Sequence, residues 1–423
     1  MIRRLCTLVG AFLVGLSAAG AAAADPELVS PSDFSGVLDL RAAAADGERS
    51  WLDGGFGKLR FGGGDDAVRG RLALADAALA WRPRLTWDLS AVIDGEVQKL
   101  GDYHADLIQA YLAYKPVPRG PLRFSARLGL FYPQISEEHG GPAWEVADTI
   151  TPSAVNTWVG EEVKVVGAEA TVSRTFGGHQ LSATGAVFGY DDTSGTLLTF
   201  RGWALDDVKA GAVGEFSLPP LEQQYLLGQP RETYSLREID NRLGYYGRVE
   251  WRPPAPVSFN AFYYDNRGDL TGVDGDVQWA WATRFWNLGA VWTPDDRTRV
   301  LSQVLSGETL MGFPNGRSVW FNLGFTSAYL LATRTYGRSA FTARIEFFET
   351  RDRNFRPALD GADQNWGETG WALTGAYRLA LNAHASLFVE ALHIESDRPS
   401  RGQAGLAAWQ SQTQVQTSLR LSF

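Results

Sequence analysis

The final stretch, 412–423, reads QTQVQTSLRLSF and constrains the fold more than any other part of the chain. Thr413, Val415, Thr417, Leu419, Leu421 and Phe423 are apolar or strand-forming, whereas Gln414, Gln416, Ser418, Arg420 and Ser422 between them are polar. A period of two puts these sets on opposite faces of one strand. Such a strand fits a wall with lipid on its apolar side and water on its polar side. Taken alone, the stretch also suits the edge of a soluble β-protein.

The same alternation recurs upstream. Leu89, Ala91, Ile93 and Val97 oppose Asp88, Asp94, Glu96 and Gln98; Leu122, Phe124, Ala126 and Leu128 oppose Arg123, Ser125 and Arg127; Phe341, Ala343, Ile345 and Phe347 oppose Thr342, Arg344 and Glu346. Breaker clusters rich in Pro, Gly and Asn sit at 82–84, 116–121, 177–179, 253–256, 294–297, 336–338 and 381–383, where they supply turn chemistry. Seven tight turns, with a first and a last strand, give sixteen strands. Longer polar segments fall between the hairpins at 45–68, 99–105, 132–161, 191–243, 267–278, 311–317, 351–366 and 397–408. Short turns at one end and long loops at the other predict an all-β, transmembrane antiparallel β-barrel over 25–423. Strands 69–82 and 279–292 have no clear register, since Asp76 falls among apolar positions and Trp occupies both faces of the second.

The N-terminus reads as a secretory signal over 1–24: Arg3 and Arg4, an apolar run, then small residues before Asp25. The only cysteine, Cys6, lies within it, so no disulfide is expected afterwards. No later stretch has the roughly 20 apolar residues of a membrane helix.

An alternating terminal strand ending in Phe423 resembles that of Gram-negative outer-membrane barrels. The architecture resembles porins of the phosphate-selective O/P type, as does Gly129-Leu130-Phe131 followed by Pro133. The runs at 150–154 and 158–162 resemble those of uncharacterised proteobacterial porin-like proteins. This resemblance implies an outer-membrane porin passing small hydrophilic solutes or ions. It also implies Phe423 as the signal to the assembly machinery, contacts with lipid and lipopolysaccharide, and compatibility with a homotrimer. No cofactor, metal or nucleic-acid partner is expected.

The third long loop, 132–161, holds the position from which such porins narrow their pore. Glu137, Glu138, Glu145 and Asp148 on it are the candidate constriction acids. The strand phases set them against lumen residues Arg41, Arg123, Arg127, Arg248, Arg344, Arg378 and Arg420, with Asp88, Asp94, Glu250, Glu346 and Glu390 as partners. Opposed charges of this kind would set a transverse field across a channel. The alternative for the acids is an outer surface position. An anion filter is not visible: net charge is −9, and no lysine has a phase that places it mid-lumen. Tyr246, Phe262, Tyr264 and Phe348 share the polar face and suit either packing or sugar stacking.

Catalytic chemistry finds little support. The five histidines lack metal-ligand spacing, and no G-x-S-x-G elbow is present. Ser136, Glu137 and His139 form the only local cluster, so a barrel-embedded hydrolase ranks below a surface adhesin or structural barrel carrying its purpose in 191–243. Asp265, Asp269, Asp274 and Asp276 miss the spacing of a calcium-binding EF-hand loop. A plug-bearing TonB-type transporter is not expected, with only 25–33 before the first strand.

Overall fold

The structure, a computed structural model, describes residues 30–64, 67–100, 102–140, 142–221, 230–275, 278–314 and 319–423; the stretch 1–24, expected to be a signal sequence, lies outside them. The strands are β1 (Phe34–Ala45), β2 (Arg69–Trp81), β3 (Leu89–Leu100), β4 (Asp102–Tyr114), β5 (Leu122–Phe131), β6 (Val165–Phe176), β7 (His179–Gly189), a short ladder of β8 (Phe216–Ser217) with β9 (Glu232–Thr233), then β10 (Gly244–Arg252), β11 (Val257–Asp265), β12 (Ala282–Asp295), β13 (Thr298–Met311), β14 (Phe321–Tyr336), β15 (Ser339–Asp352), β16 (Glu368–Asn382), β17 (Ala385–Asp397) and β18 (Trp409–Ser422). All but β8 and β9 form one closed antiparallel barrel of sixteen strands in sequence order, β18 pairing back onto β1.

The seam shows why the chain ends as it does. Val37 pairs with Ser422 and Ala45 with Gln414. Phe423 exchanges backbone hydrogen bonds with Gly36 at 3.1 and 3.2 Å. A Cβ on Gly36 would fall 2.5 Å from the Phe423 ring, so the small residue makes room for the terminal aromatic.

Outward positions form an apolar belt: Leu128, Val249, Trp286, Leu288, Leu330, Ile345 and Leu373 are exposed. Arg127, Arg344 and Arg420 on the alternate phase turn inward. Exposed apolar side chains over buried charges reverse a soluble protein's order, and that identifies a membrane wall.

Two unclear registers now have causes. The β1–β2 pairing slips between Asp39 and Leu40, leaving Ala75 without a partner. That bulge swaps the phase of β2, so Asp76, Ala78 and Ala80 point inward below it. In β12, Trp286 and Leu288 face out while Phe285 and Asn287 face in. Trp279 and Trp281 precede the strand and pack in a separate cluster.

Other expectations need correction. The first turn spans 82–88 rather than 82–84, because Thr86 Oγ1 donates to Asp88 at 2.8 Å and accepts Leu89 N. Asp88 therefore lies in a turn and not on the lumen wall. The expected loop at 99–105 is a tight hairpin with Leu100 opposite Asp102. Tyr111 and Tyr329 face the lumen. Much of 45–68 and of 191–243 folds into the barrel instead of lying outside it: Trp51, Leu59, Leu197, Trp203 and Asp206 are fully buried.

Candidate functional site

The lumen is occupied by three inward segments, and the wall residues account for their positions. Segment 132–161 descends from β5 and ends in helix α1 (Ala154–Glu162), all nine residues of which are buried. Ser153 caps the helix, its hydroxyl accepting from Asn156 N. Its first donor, Ala154 N, meets the wall carboxylate of Glu346 at 2.6 Å, and in the approach to the helix Ile150 N and Thr151 N meet Glu390 at 2.7 and 3.2 Å. Carboxylates at a helix N-terminus satisfy orphan donors and favour the dipole.

The second segment, 191–210, carries helix α2 (Thr196–Phe200) and is tied to the first through Glu162. That carboxylate accepts Leu197 N at 2.8 Å, Gly195 N at 3.1 Å and Trp158 Nε1 at 2.7 Å. Glu161 holds Arg201 in a two-point ion pair. The third segment, 48–61, hangs on β18: Gln412 accepts Lys58 N at 2.5 Å, and Gln414 accepts Phe61 N at 3.0 Å. Farther along the same strand, Gln416 donates to Thr151 Oγ1, Ser418 to Asp39 and Arg420 to the Val146 carbonyl.

On the opposite side the wall is mainly apolar, its dry face broken locally by Gln303 of β13 and by Arg344 and Glu346 of β15. Tyr246, Phe262, Tyr264, Phe285, Phe325 and Phe348 point inward and form one core with Trp158, Val159, Trp203 and Leu205 of the inner segments. Trp158 meets Phe285 and Phe325 at ring distances of 5.3 and 5.2 Å. Phe285 and Phe325 therefore pack against α1, and Phe348 against Trp203 of the second segment.

The four loop acids all have partners, but of different kinds. Glu138 is buried and accepts from Ser153 N, Ser153 Oγ and Asn156 Nδ2, with Arg344 at 3.1 Å. Arg344, itself buried, also contacts Glu346 at 2.9 Å and donates to the carbonyls of Thr151 and Pro152. Glu145 pairs with Lys209 at 2.7 Å and Arg420 at 3.6 Å. Burial raises its carboxyl, but Lys209 and Arg420 outweigh that and hold it below the usual range. Asp148 pairs with Arg299 at 2.9 Å. Glu137 lines a polar cavity, accepting from Asn260 at 2.6 Å and pairing with Arg248 at 3.4 Å.

That cavity, of about 470 Å³, lies between wall and loop. Its lining includes Arg82, Asp94, Arg248, Glu250 and Arg252 toward the short-turn end. Arg248 and Arg252 both pair with Glu250. Arg127 forks onto Glu169 at 2.8 and 2.9 Å and covers Phe131 at 4.0 Å. Arg41 bridges Asp39 and Asp207. Arg378 is half-buried on the inward phase, while Arg123 shares that phase but is exposed at the end of β5.

The lysines overturn their sequence reading: Lys58, Lys164 and Lys209 lie inside the barrel, delivered by inner segments and not by strands. Strand phase carries no information about such positions. Lys209 is encircled by Glu145 at 2.7 Å, Glu96 at 2.8 Å and Asp76 at 3.3 Å, so its ammonium fills the place of a cation among three carboxylates. Lys164 donates to the carbonyls of Leu107 and Ala210, and burial lowers its pKa to about 7.

Ser136 and His139 are bonded at 2.7 Å, yet Ser136 Oγ also accepts Glu138 N and His139 N, which makes it the cap of a turn. His139 stacks on Trp144 at 3.7 Å, and burial, then Lys209, lowers its pKa to about 3. Asp269 and Asp274, considered for calcium, pair with Arg242 and Arg237, while Asp276 is outside the described residues.

Comparison with known proteins agrees with this geometry at the level of fold. No protein-family model matches the chain, and no curated protein does. Among solved structures it is similar to the outer membrane channel DcaP of Acinetobacter baumannii, with TM-score 0.55 and 12% identity over 93% of this chain and 99% of that one. An anion-selective porin from Comamonas acidovorans gives TM-score 0.52 and 12% identity over 92% and 98%. A loop L8 deletion mutant of OmpT, an outer membrane protein of Vibrio cholerae, gives 0.50 and 8% over 92% and 98%. The chain has the fold of Gram-negative outer-membrane porins.

Proposed function

We propose that the protein is an outer-membrane diffusion channel for small hydrophilic solutes or ions, with its cross-section set by 132–161 and 191–210 together. The observation that carries this reading is the polar cavity beneath the inner segments, lined by Glu137 and Glu250 against Arg82, Arg248 and Arg252. Charges of both signs across a confined space favour solutes that can exchange hydration for polar contacts. Within this reading Glu137 sets charge preference, whereas Glu138, Glu145 and Asp148 hold the loop. Phe423, 69% exposed at the seam, would serve as the assembly signal, and the apolar belt would meet lipid with lipopolysaccharide at the long-loop end. Purified protein in planar bilayers should give discrete conductance steps, and Glu137→Gln should move the reversal potential toward anions. Absence of any conductance from folded barrel would overturn the channel reading.

A further inference from the structure

The outer wall carries a second candidate site. A groove of about 550 Å³ crosses the membrane-facing side of β3–β7, lined by Leu89, Tyr114, Leu128, Ala168, Gly185 and Val187 among others. A Cβ at Gly185 would meet nothing within 4 Å, so the hollow there is open. The groove rises obliquely from the Leu89–Tyr114 pair at the short-turn end, reaching Gly185 and Val187 in the body of β7.

Charge marks its lower end. Lys115 follows Tyr114 directly and is fixed by its backbone N–H to Asp88 O at 2.7 Å; Arg84 bridges to Ser90 beside Leu89. Arg119 in the same turn is exposed, and Arg174 continues the patch on the outward phase of β6. Among the described residues none of these four cations lies within ion-pair distance of a carboxylate, and the nearby Asp88 carboxylate accepts from Thr86. Four other exposed arginines at this end have partners, Arg252 with Glu250, Arg297 with Asp296, Arg334 with Asp295, and Arg338 with the Ala380 carbonyl, whereas Arg123 lies on the lumen phase.

An apolar trough in the hydrocarbon, ending at unpaired cations on the periplasmic side, has the complementarity of an acyl chain joined to an anionic headgroup. We infer that the groove binds an anionic phospholipid of the periplasmic leaflet, its acyl chain over Gly185 and Ala168 and its phosphate at Arg84, Lys115 and Arg119. The inference rests on the outer-membrane reading but not on conduction.

The test reconstitutes the barrel in vesicles of phosphatidylethanolamine and phosphatidylglycerol, then extracts it gently and measures bound lipid by native mass spectrometry. Wild type should retain phosphatidylglycerol over phosphatidylethanolamine. The triple variant Arg84→Gln, Lys115→Gln, Arg119→Gln should lose that preference by about five-fold per charge removed. Gly185→Leu, for which there is room, should lower retention of both lipids in a barrel that stays heat-stable. Equal retention of both lipids by wild type, or wild-type retention by either variant, would overturn the proposal. So would a shift in oligomeric state on Gly185→Leu with lipid retention unchanged, which would make the groove an interface between barrels. A silent channel that keeps its phosphatidylglycerol would count against conduction alone.

Discussion

The two sides of the lumen are built from the same alternating strands and hold the inner segments by opposite means. Around β18, β1 and β3, amides and charges grip backbone: Gln412, Gln414 and Arg420 bind Lys58 N, Phe61 N and the Val146 carbonyl. Around β10–β15, aromatic rings bury Trp158 and Trp203. The polar side fixes register, because each hydrogen bond has one partner. The dry side supplies burial, which is non-directional and larger per residue. Together they place α1 across a barrel too wide to be filled by strand side chains alone.

The strongest way to break this division is on the dry side. Trp158→Ala should cost roughly 3–5 kcal/mol, read by urea unfolding or loss of heat stability. Arg344→Leu, at the polar break in that side, should cost about the same, because removing it leaves Glu138 and Glu346 buried beside no cation. Gln414→Leu, by contrast, strands the Phe61 amide and should cost about 1–3 kcal/mol. A larger loss from Gln414→Leu than from Trp158→Ala would reverse the assignment of the two sides.

Smaller effects sharpen it. Glu137→Gln should shift the reversal potential toward anions without changing stability, whereas Glu138→Gln should destabilise the barrel and shift selectivity little. The smallest effect is one of pH. A buried Lys164 with its pKa lowered to about 7 is charged below that value and loses its proton as pH rises through it. The lumen then gains negative character, so cation preference should increase between about pH 6 and 8. Lys164→Gln should weaken that dependence, with the remainder coming from Asp192, raised to about 7 by burial, and Lys58, lowered to about 8 by burial.

The barrel was legible from sequence because alternation and turn chemistry are local. Phe423, the strand count and the inward phase of Arg127, Arg248, Arg344 and Arg420 all follow from them. Asp76 was illegible because one extra residue, Ala75, flips the phase of β2. The inner segments were harder still. The polar face of 412–423 showed where partners would lie but not which backbone would occupy them. Trp158, Trp203 and Lys209 sit in stretches with no period, so nothing local shows that they face a lumen. One signal was present: Tyr246, Phe262, Tyr264 and Phe348 place aromatics on the watery phase, a pattern that suits packing against an inner segment but also suits sugar stacking.

The central claim is that 191–210 lies in the conduction path together with 132–161. Single-channel conductance in planar bilayers tests it most directly, comparing wild type with a variant in which 196–208 is replaced by a short Gly/Ser linker. Conductance should rise several-fold from a barrel of unchanged strand content. Unchanged conductance from that folded variant would contradict it.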